Sequence, residues 1–429
     1  KMNGSFFLCD HNEWKNHHRK EKKCQVDIQQ KFQTHLSLPF FPTMYNAPMK
    51  KIFSHWMPGA EELRRAARVA LESSLQVRPG ERVLIVTNPV EEVAAISFAL
   101  HDAAAGLGAV PILLFQQPKS QIDFCEEEVV AALETAPEVL ISLSADRLGK
   151  DRKAIRSPYR VGNRQFDSGF HYLLYGEKKI RAFWSPRVTV AGFVRAVPVD
   201  YDRMRRECAG VKDLLDRAVR VRVTSGKGTD LVFDVAGRQA FMDDGNFSFP
   251  GAGGNLPAGE TFISPVVGTA EGRIVFDGSI ITHSGEVLIR RPIEARVRGG
   301  FVREISGGEE AEKLEETIRM GEENALLFEK EGKLPSGMGE VYRRNARNIG
   351  ELGVGLNPEA LVTGNMLEDE KAYRTCHFAV GSNYDDDAPA LIHLDGLVLE
   401  PTVTVITRDR REIPVLVDGG LVLERGVGL

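Results

Sequence analysis

Cysteine is scarce in this sequence of 429 residues: Cys9, Cys24, Cys125, Cys208 and Cys376 are odd in number and widely scattered. That argues against a disulfide framework and fits a chain working in a reducing cytoplasm. Long apolar runs are missing as well, and none approaches the ~18 residues of a membrane span. No compact basic-then-apolar signal segment opens the chain. Positive charge is not in excess. The formal net charge is −5, so bulk electrostatics point to neither nucleic acid nor an anionic membrane as partner.

What is present is an ordinary globular composition, 42% hydrophobic and 27% charged, enough for a real core. The length suggests two or three domains. Residues 1–56 mix His, Asn, Lys, Gln and Phe without a period and read as an added or disordered leader. Met49 or Met57 is the candidate natural start. The leader carries Cys9, His11, His17, His18 and Cys24, whose spacings match no established zinc module.

From Met57 the pattern becomes regular. Leu63, Ala67, Ala70, Leu71 and Leu75 form one helical stripe over residues 59–77, ended by Arg78-Pro-Gly80. Residues 82–87, 110–115 and 139–143 read as buried strands, with helices over 90–105 and 126–135 between them. Strand–helix alternation of this kind predicts parallel strands in a doubly wound α/β domain over 57–200. The turn after the first strand, Asn88-Pro-Val-Glu-Glu92, has no glycine-rich phosphate fingerprint and would put carboxylates where phosphates sit. Residues 150–187 interleave basic and aromatic side chains and read as a solvated interdomain segment or a substrate wall.

After a helix over 204–218 the signal turns to β. Val219–Thr224 alternates strictly. Ile274–Phe276 and Ser279–Ile281 read as a hairpin around Asp277-Gly278, and strands continue to residue 417, with one helix at 309–329. The expected second domain, 201–429, is therefore α+β, mainly antiparallel, and metal-binding.

The metal expectation rests on a short block. His377-Phe-Ala-Val-Gly-Ser-Asn-Tyr384 is followed by His393-Leu-Asp395. Residues two apart on a strand share a face, so His393 and Asp395 can offer both side chains to one ion, or one to each of two. Their neighbours are apolar, and an unpartnered carboxylate buried there would be costly. Glu260 follows the Pro/Gly-rich lead-in Asn255-Leu-Pro-Ala-Gly. Glu351 lies in Gly350-Glu-Leu-Gly-Val-Gly355, where glycines allow close backbone approach. Imidazole plus carboxylate is the donor set of zinc, cobalt, manganese or iron. Cys376 beside His377 suggests a Cys/His nucleophile, but adjacent strand residues face opposite ways. His283 and Glu286 read as hairpin-turn polar groups, Asp385-Asp-Asp387 as a solvated turn, and Glu368-Asp-Glu370 as an acidic loop facing a peptide amine.

In order and composition these motifs resemble the thermophilic aminopeptidase T family, the M29 metallopeptidases. The resemblance runs loosely from residue 60 to the end, with specific motifs over 220–400. It implies Glu260, Glu351, His377, His393 and Asp395 as metal ligands, with Tyr384 as an active-site tyrosine donating to a developing oxyanion. It further implies a homodimer, a peptide substrate, and two divalent ions (Zn, Co or Mn) sharing a hydroxide that attacks the N-terminal peptide bond, with Glu260 or Glu351 as general base. The interval from His377 to His393 is shorter than in typical members. A ring-cleaving 2,5-dihydroxypyridine dioxygenase belongs to the same superfamily. His377, His393 and Asp395 match its two-His-one-carboxylate iron set, which makes an iron dioxygenase the first alternative. A non-catalytic peptide-binding relative is the second.

Overall fold

The computed structural model describes residues 60–120 and 123–423; the leader and its Cys/His cluster lie outside them. The first sheet is parallel, in the order Gly253–Asn255, Arg181–Trp184, Val139–Leu143, Arg82–Thr87, Val110–Phe115. Alternation builds its two faces. Val83, Ile85, Val139 and Ile141 enter one apolar core with Leu63, Leu71 and Leu100. Leu84, Val86, Leu140 and Ala182 enter another, with Val129, Leu133 and Leu174. Helices cover both faces, as the strand–helix alternation predicts: Ala60–Val69, Glu91–Gly106 and Glu127–Glu134 fall where expected.

The basic-aromatic segment is not simply solvated. Arg181–Trp184 is an inner strand of this sheet. Its arginine hid it. Arg181 is buried, yet it donates to the Glu81 carboxylate and to the carbonyls of Leu75 and Gln76, so its charge is matched inside the fold.

The C-terminal half is antiparallel and forms two sheets. One holds seven strands, from Gly285–Leu288 through Ser279–Thr282, His393–Leu399, Thr375–Gly381, Ile349–Gly355 and Glu260–Ile263 to Phe241–Asp243. The other holds eight, including Ala218–Ser225, Asp230–Asp234, Glu271–Phe276 and Pro401–Thr407. They meet through apolar faces, where Phe233 of one packs edge-on to Phe378 of the other at 6.3 Å between ring centroids.

One expected hairpin is absent. Glu271–Phe276 pairs within the eight-stranded sheet, whereas Ser279–Thr282 pairs within the seven-stranded one. Asp277-Gly278 therefore carries the chain from sheet to sheet. Asp277 accepts from the Leu399 amide, and a Cβ at Gly278 would lie 2.8 Å from that of Leu397. The hairpin in this region is the next one, Ser279–Thr282 with Gly285–Leu288, and His283 sits at its turn. No helix among the described residues is long and apolar enough to cross a membrane.

Phe378 is fully buried between the sheets. Phe378→Ala is expected to lower unfolding free energy by about 3–5 kcal/mol, read as a drop in the urea midpoint. A loss below roughly 1 kcal/mol would show that the sheets do not depend on this contact.

Candidate metal centre

Register collects the site. In an antiparallel pair, directly opposed residues share a face. Glu260 pairs with Asp243 on one side and Gly355 on the other. His377 opposes Gly353 and Leu397, and Ala379 opposes both Glu351 and Asp395. His393 opposes Gly381. With the two-residue period, Asp243, Glu260, Glu351, His377, His393 and Asp395 all project from one face of the seven-stranded sheet. Phe378, Leu352 and Val398 face the core on the other.

The small residues opposite the functional ones make room. A Cβ at Gly353 would lie 2.1 Å from the His377 ring, so only glycine lets the imidazole lie flat across its neighbour strand. Cys376 points into the opposite, apolar face, where burial pushes its thiol pKa up and makes it a poor nucleophile.

The side chains form two candidate ligand groups, Glu260/Glu370/His377 and Glu351/His393/Asp395. Within each, the ligand atoms lie within 4.8 Å of one another. Glu351 links them: one carboxylate oxygen is 3.2 Å from His377 Nε2 and the other 3.1 Å from His393 Nε2. Asp395 Oδ1 is 3.3 Å from His393 Nε2. Donors coordinated at about 2.1 Å sit about 3.0–3.4 Å apart around an ion, so these edges suit a small divalent metal. Nδ1 of His393 lies 2.9 Å from the Ser382 carbonyl. A carbonyl only accepts, so Nδ1 carries a proton, and Nε2 is the nitrogen a metal would take, displacing its proton. Asp395 Oδ1 is buried without a hydrogen-bond donor, as a carboxylate oxygen reserved for a cation would be. The residues fit a metal.

All six residues expected from sequence lie here. Tyr384 is the least enclosed: 51% exposed, it packs edge-on to His393 at 5.4 Å and against Phe262 at 4.8 Å. Phe241 stacks on Phe262 in turn, so an aromatic strip leads from His393 to the surface.

Three further members escaped the sequence reading: Asp243, Glu370 and Lys371. The acidic loop splits by role. Glu368 accepts from Arg195 and from the Leu361 amide, and Asp369 from the amides of Thr363 and Gly364. Only Glu370 reaches the centre. Lys371 has no exposed surface, and its Nζ lies 2.6 Å from both Glu260 and Glu370 and 3.6 Å from Asp243. Nothing in the run Glu368-Asp-Glu-Lys distinguishes it from a surface ion-pair cluster. The Asp385–Asp387 turn pairs with Arg238, away from the metal groups.

The charges perturb one another. Burial alone would lower the His377 pKa, but the hydrogen bond and charge of Glu351, with Glu260 and Asp395 behind, raise it to about 9. Burial alone would likewise raise Glu351, whereas both imidazoles hold it well below the usual carboxylate range. Burial pushes Asp243 up to about 7 against the pull of Lys371.

A family model described as NicX, 2,5-dihydroxypyridine 5,6-dioxygenase, matches residues 191–379. That stretch takes in Glu260, Glu351, Glu370, Lys371 and His377 and ends before His393. The curated 2,5-dihydroxypyridine 5,6-dioxygenase of Pseudomonas putida is 27% identical over 175 residues, 41% of this chain. The match spans 44% of that relative's length. Among solved structures, the 2,5-dihydroxypyridine dioxygenase of Pseudomonas putida KT2440 superposes with a TM-score of 0.61 at 18% identity, covering 86% of this chain and 99% of that one. Wild-type AmpT of Thermus thermophilus superposes at 0.59 with 20% identity, covering 85% and 100%. The fold is common to both.

Two predictions follow from the geometry. Gly353→Ala displaces the His377 ring and is expected to weaken metal binding about 10–100-fold, measured by titration of metal-free protein; unchanged affinity would mean that His377 is not needed for the ion. The second concerns pH. His377 titrates above its unfolded value of 6.5, so its stabilising contribution is full below about 6.5 and is lost as pH rises through about 9. Metal-free protein should therefore lose up to ~1.4 kcal/mol per pH unit from this group in that window. Asp243, also raised, adds a loss of the same sign at lower pH. Saturating metal should flatten the decline, because a bound imidazole is already neutral. Thermal melts from pH 6 to 9 with and without chelator decide this, and a metal-free stability that is flat or rising contradicts it.

Proposed function

We propose that this chain is a metal-dependent enzyme that opens a small hydroxylated aromatic ring at one ferrous ion. The observation that carries the reading is the convergence of His377 Nε2 and His393 Nε2 on a single carboxylate, at 3.2 and 3.1 Å, with Asp395 beside them. Two imidazoles and a carboxylate are the donor set of non-haem iron oxygenases, and here the imidazoles meet the two oxygens of one carboxylate. The NicX family match and the curated relative support the same reading. When bound, the iron would supply oxygen activation and a Lewis-acid contact for a ring hydroxyl. The chain would do the rest. Tyr384, Phe262 and Phe241 offer an aromatic strip beside the centre for a planar ring, with Tyr384 tilted 51° to Phe262. The phenol of Tyr384, whose ring lies 5.4 Å from that of His393, would donate to a ring oxygen.

A second reading, a two-metal aminopeptidase, is favoured by a specific observation. The ligands divide into two groups, each with one histidine and two carboxylates, and Glu351 lies between them. The likeness to AmpT is compatible with it.

The test is direct. Protein loaded anaerobically with Fe(II) should consume oxygen when given 2,5-dihydroxypyridine or a related dihydroxylated ring, with loss of the ring chromophore. Asp395→Asn should cut that rate by at least ~100-fold. Release of p-nitroaniline from aminoacyl substrates by Zn-, Co- or Mn-loaded protein, without ring opening, would replace this reading with the second.

A further inference from the structure

The two candidate ligand groups differ in one respect that bears on how many ions the chain holds. Lys371 Nζ sits among Glu260, Glu370 and Asp243, at 2.6, 2.6 and 3.6 Å. Glu260 and Glu370 are two of the three members of the first group. The second group, Glu351/His393/Asp395, has no lysine or arginine against it among the described contacts.

We infer that the Lys371 ammonium is the resident cation of the first group, so that the chain takes one metal ion, at Glu351/His393/Asp395 with His377 alongside. This deepens the one-metal reading above and rests on the same centre being a metal site. The physical case has three parts. Lys371 has no exposed surface, so its charge depends on the surrounding carboxylates and cannot be left to water. A divalent ion bonded to Glu260 and Glu370 would compete with the ammonium for the same carboxylates at close range. At separations of ~4 Å or less, like charges in a dry interior repel strongly. Asp243 belongs to neither ligand group, yet it completes the acidic ring around Nζ and accepts from the Asn255 amide. The His377 ring, the remaining member of the first group, has its Nε2 3.2 Å from Glu351 and 3.6 Å from Glu260, so it already leans toward the second group.

The experiment counts ions. Metal-free wild type, Lys371→Asn and Glu260→Gln are titrated with Mn(II) and freed of loose metal by gel filtration. Manganese per chain is then measured by elemental analysis, with electron paramagnetic resonance to distinguish an isolated from an exchange-coupled ion. About one isolated ion is expected in wild type and in Glu260→Gln, and about two coupled ions in Lys371→Asn, where an ammonium has been replaced by a neutral amide. Two ions in wild type falling to one in Glu260→Gln would overturn the inference. So would a Lys371→Asn variant that melts like a folded protein and still holds one. If Lys371→Asn does not fold, the wild-type and Glu260→Gln counts decide alone. The ring-opening chemistry stands or falls separately. One ion per chain without oxygen consumption would sink the dioxygenase reading and leave the role of Lys371 intact.

Discussion

Negative charge gathered on one face of a buried sheet is the constraint around which the C-terminal half is organised. Asp243, Glu260, Glu351 and Asp395 are each less than a tenth exposed, and Glu370 joins them from the covering segment. Carboxylates so close together cannot all ionise in a dry interior without cations of matching charge. The structure supplies them at graded positions: one ammonium among three of the acids, and two imidazoles around Glu351. Two imidazoles hold Glu351 below the usual carboxylate range, whereas burial keeps Asp243 above it despite the nearby ammonium. A metal ion would replace the imidazole protons as the cation at the Glu351 end. Metal occupancy, protonation and stability are then one linked equilibrium.

The backbone makes such crowding possible through strand register. Each large functional side chain stands across from glycine or alanine: His377 from Gly353, Glu260 from Gly355, His393 from Gly381, and Glu351 and Asp395 from Ala379. A one-residue slip would turn every ligand into the apolar interface that Phe378 and Leu352 now fill. The Phe233–Phe378 contact and the rest of the inter-sheet core thus fix which face the acids occupy. Packing on one side of the sheet specifies chemistry on the other.

This division explains what the sequence disclosed and what it concealed. The α/β portion was legible because helical and strand periods alternate cleanly from residue 60 to 143. The ligands on strands were legible because His-x-Asp spacing and glycines beside Glu351 have a direct geometric meaning. Lys371 and Glu370 were not, since their role comes from a short helix, Met366–Asp369, folding its end back over the sheet. In one dimension Glu-Lys beside other acids is indistinguishable from a solvated cluster. Asp243 lies on a three-residue strand, too short to show a period. The strand at Arg181–Trp184 was masked by a charge whose partner, Glu81, is far away in sequence. The crossing at Asp277-Gly278 was masked because turn residues look alike whether the chain reverses within a sheet or passes to another. Local patterns report local geometry; these misses all depend on long-range partners.

The same fold superposes on a dihydroxypyridine dioxygenase and on AmpT with nearly equal scores, so the fold cannot be what separates their chemistries. One place where chemistries on a shared fold can part is the way a charged face is neutralised. A lysine can do for one ligand group what an ion does, but with a single charge, no open coordination position and no Lewis acidity. A site neutralised in that way retains its strand register, its glycines and most of its ligands, yet loses the second ion needed to clamp both the attacking and the leaving atom of a hydrolysis. With Lys371 as the resident cation, this chain would keep one ion with two imidazoles near it and an aromatic strip leading to it. One side chain on a segment outside the sheet would then suffice to move such a scaffold from two-ion to one-ion chemistry without disturbing its core.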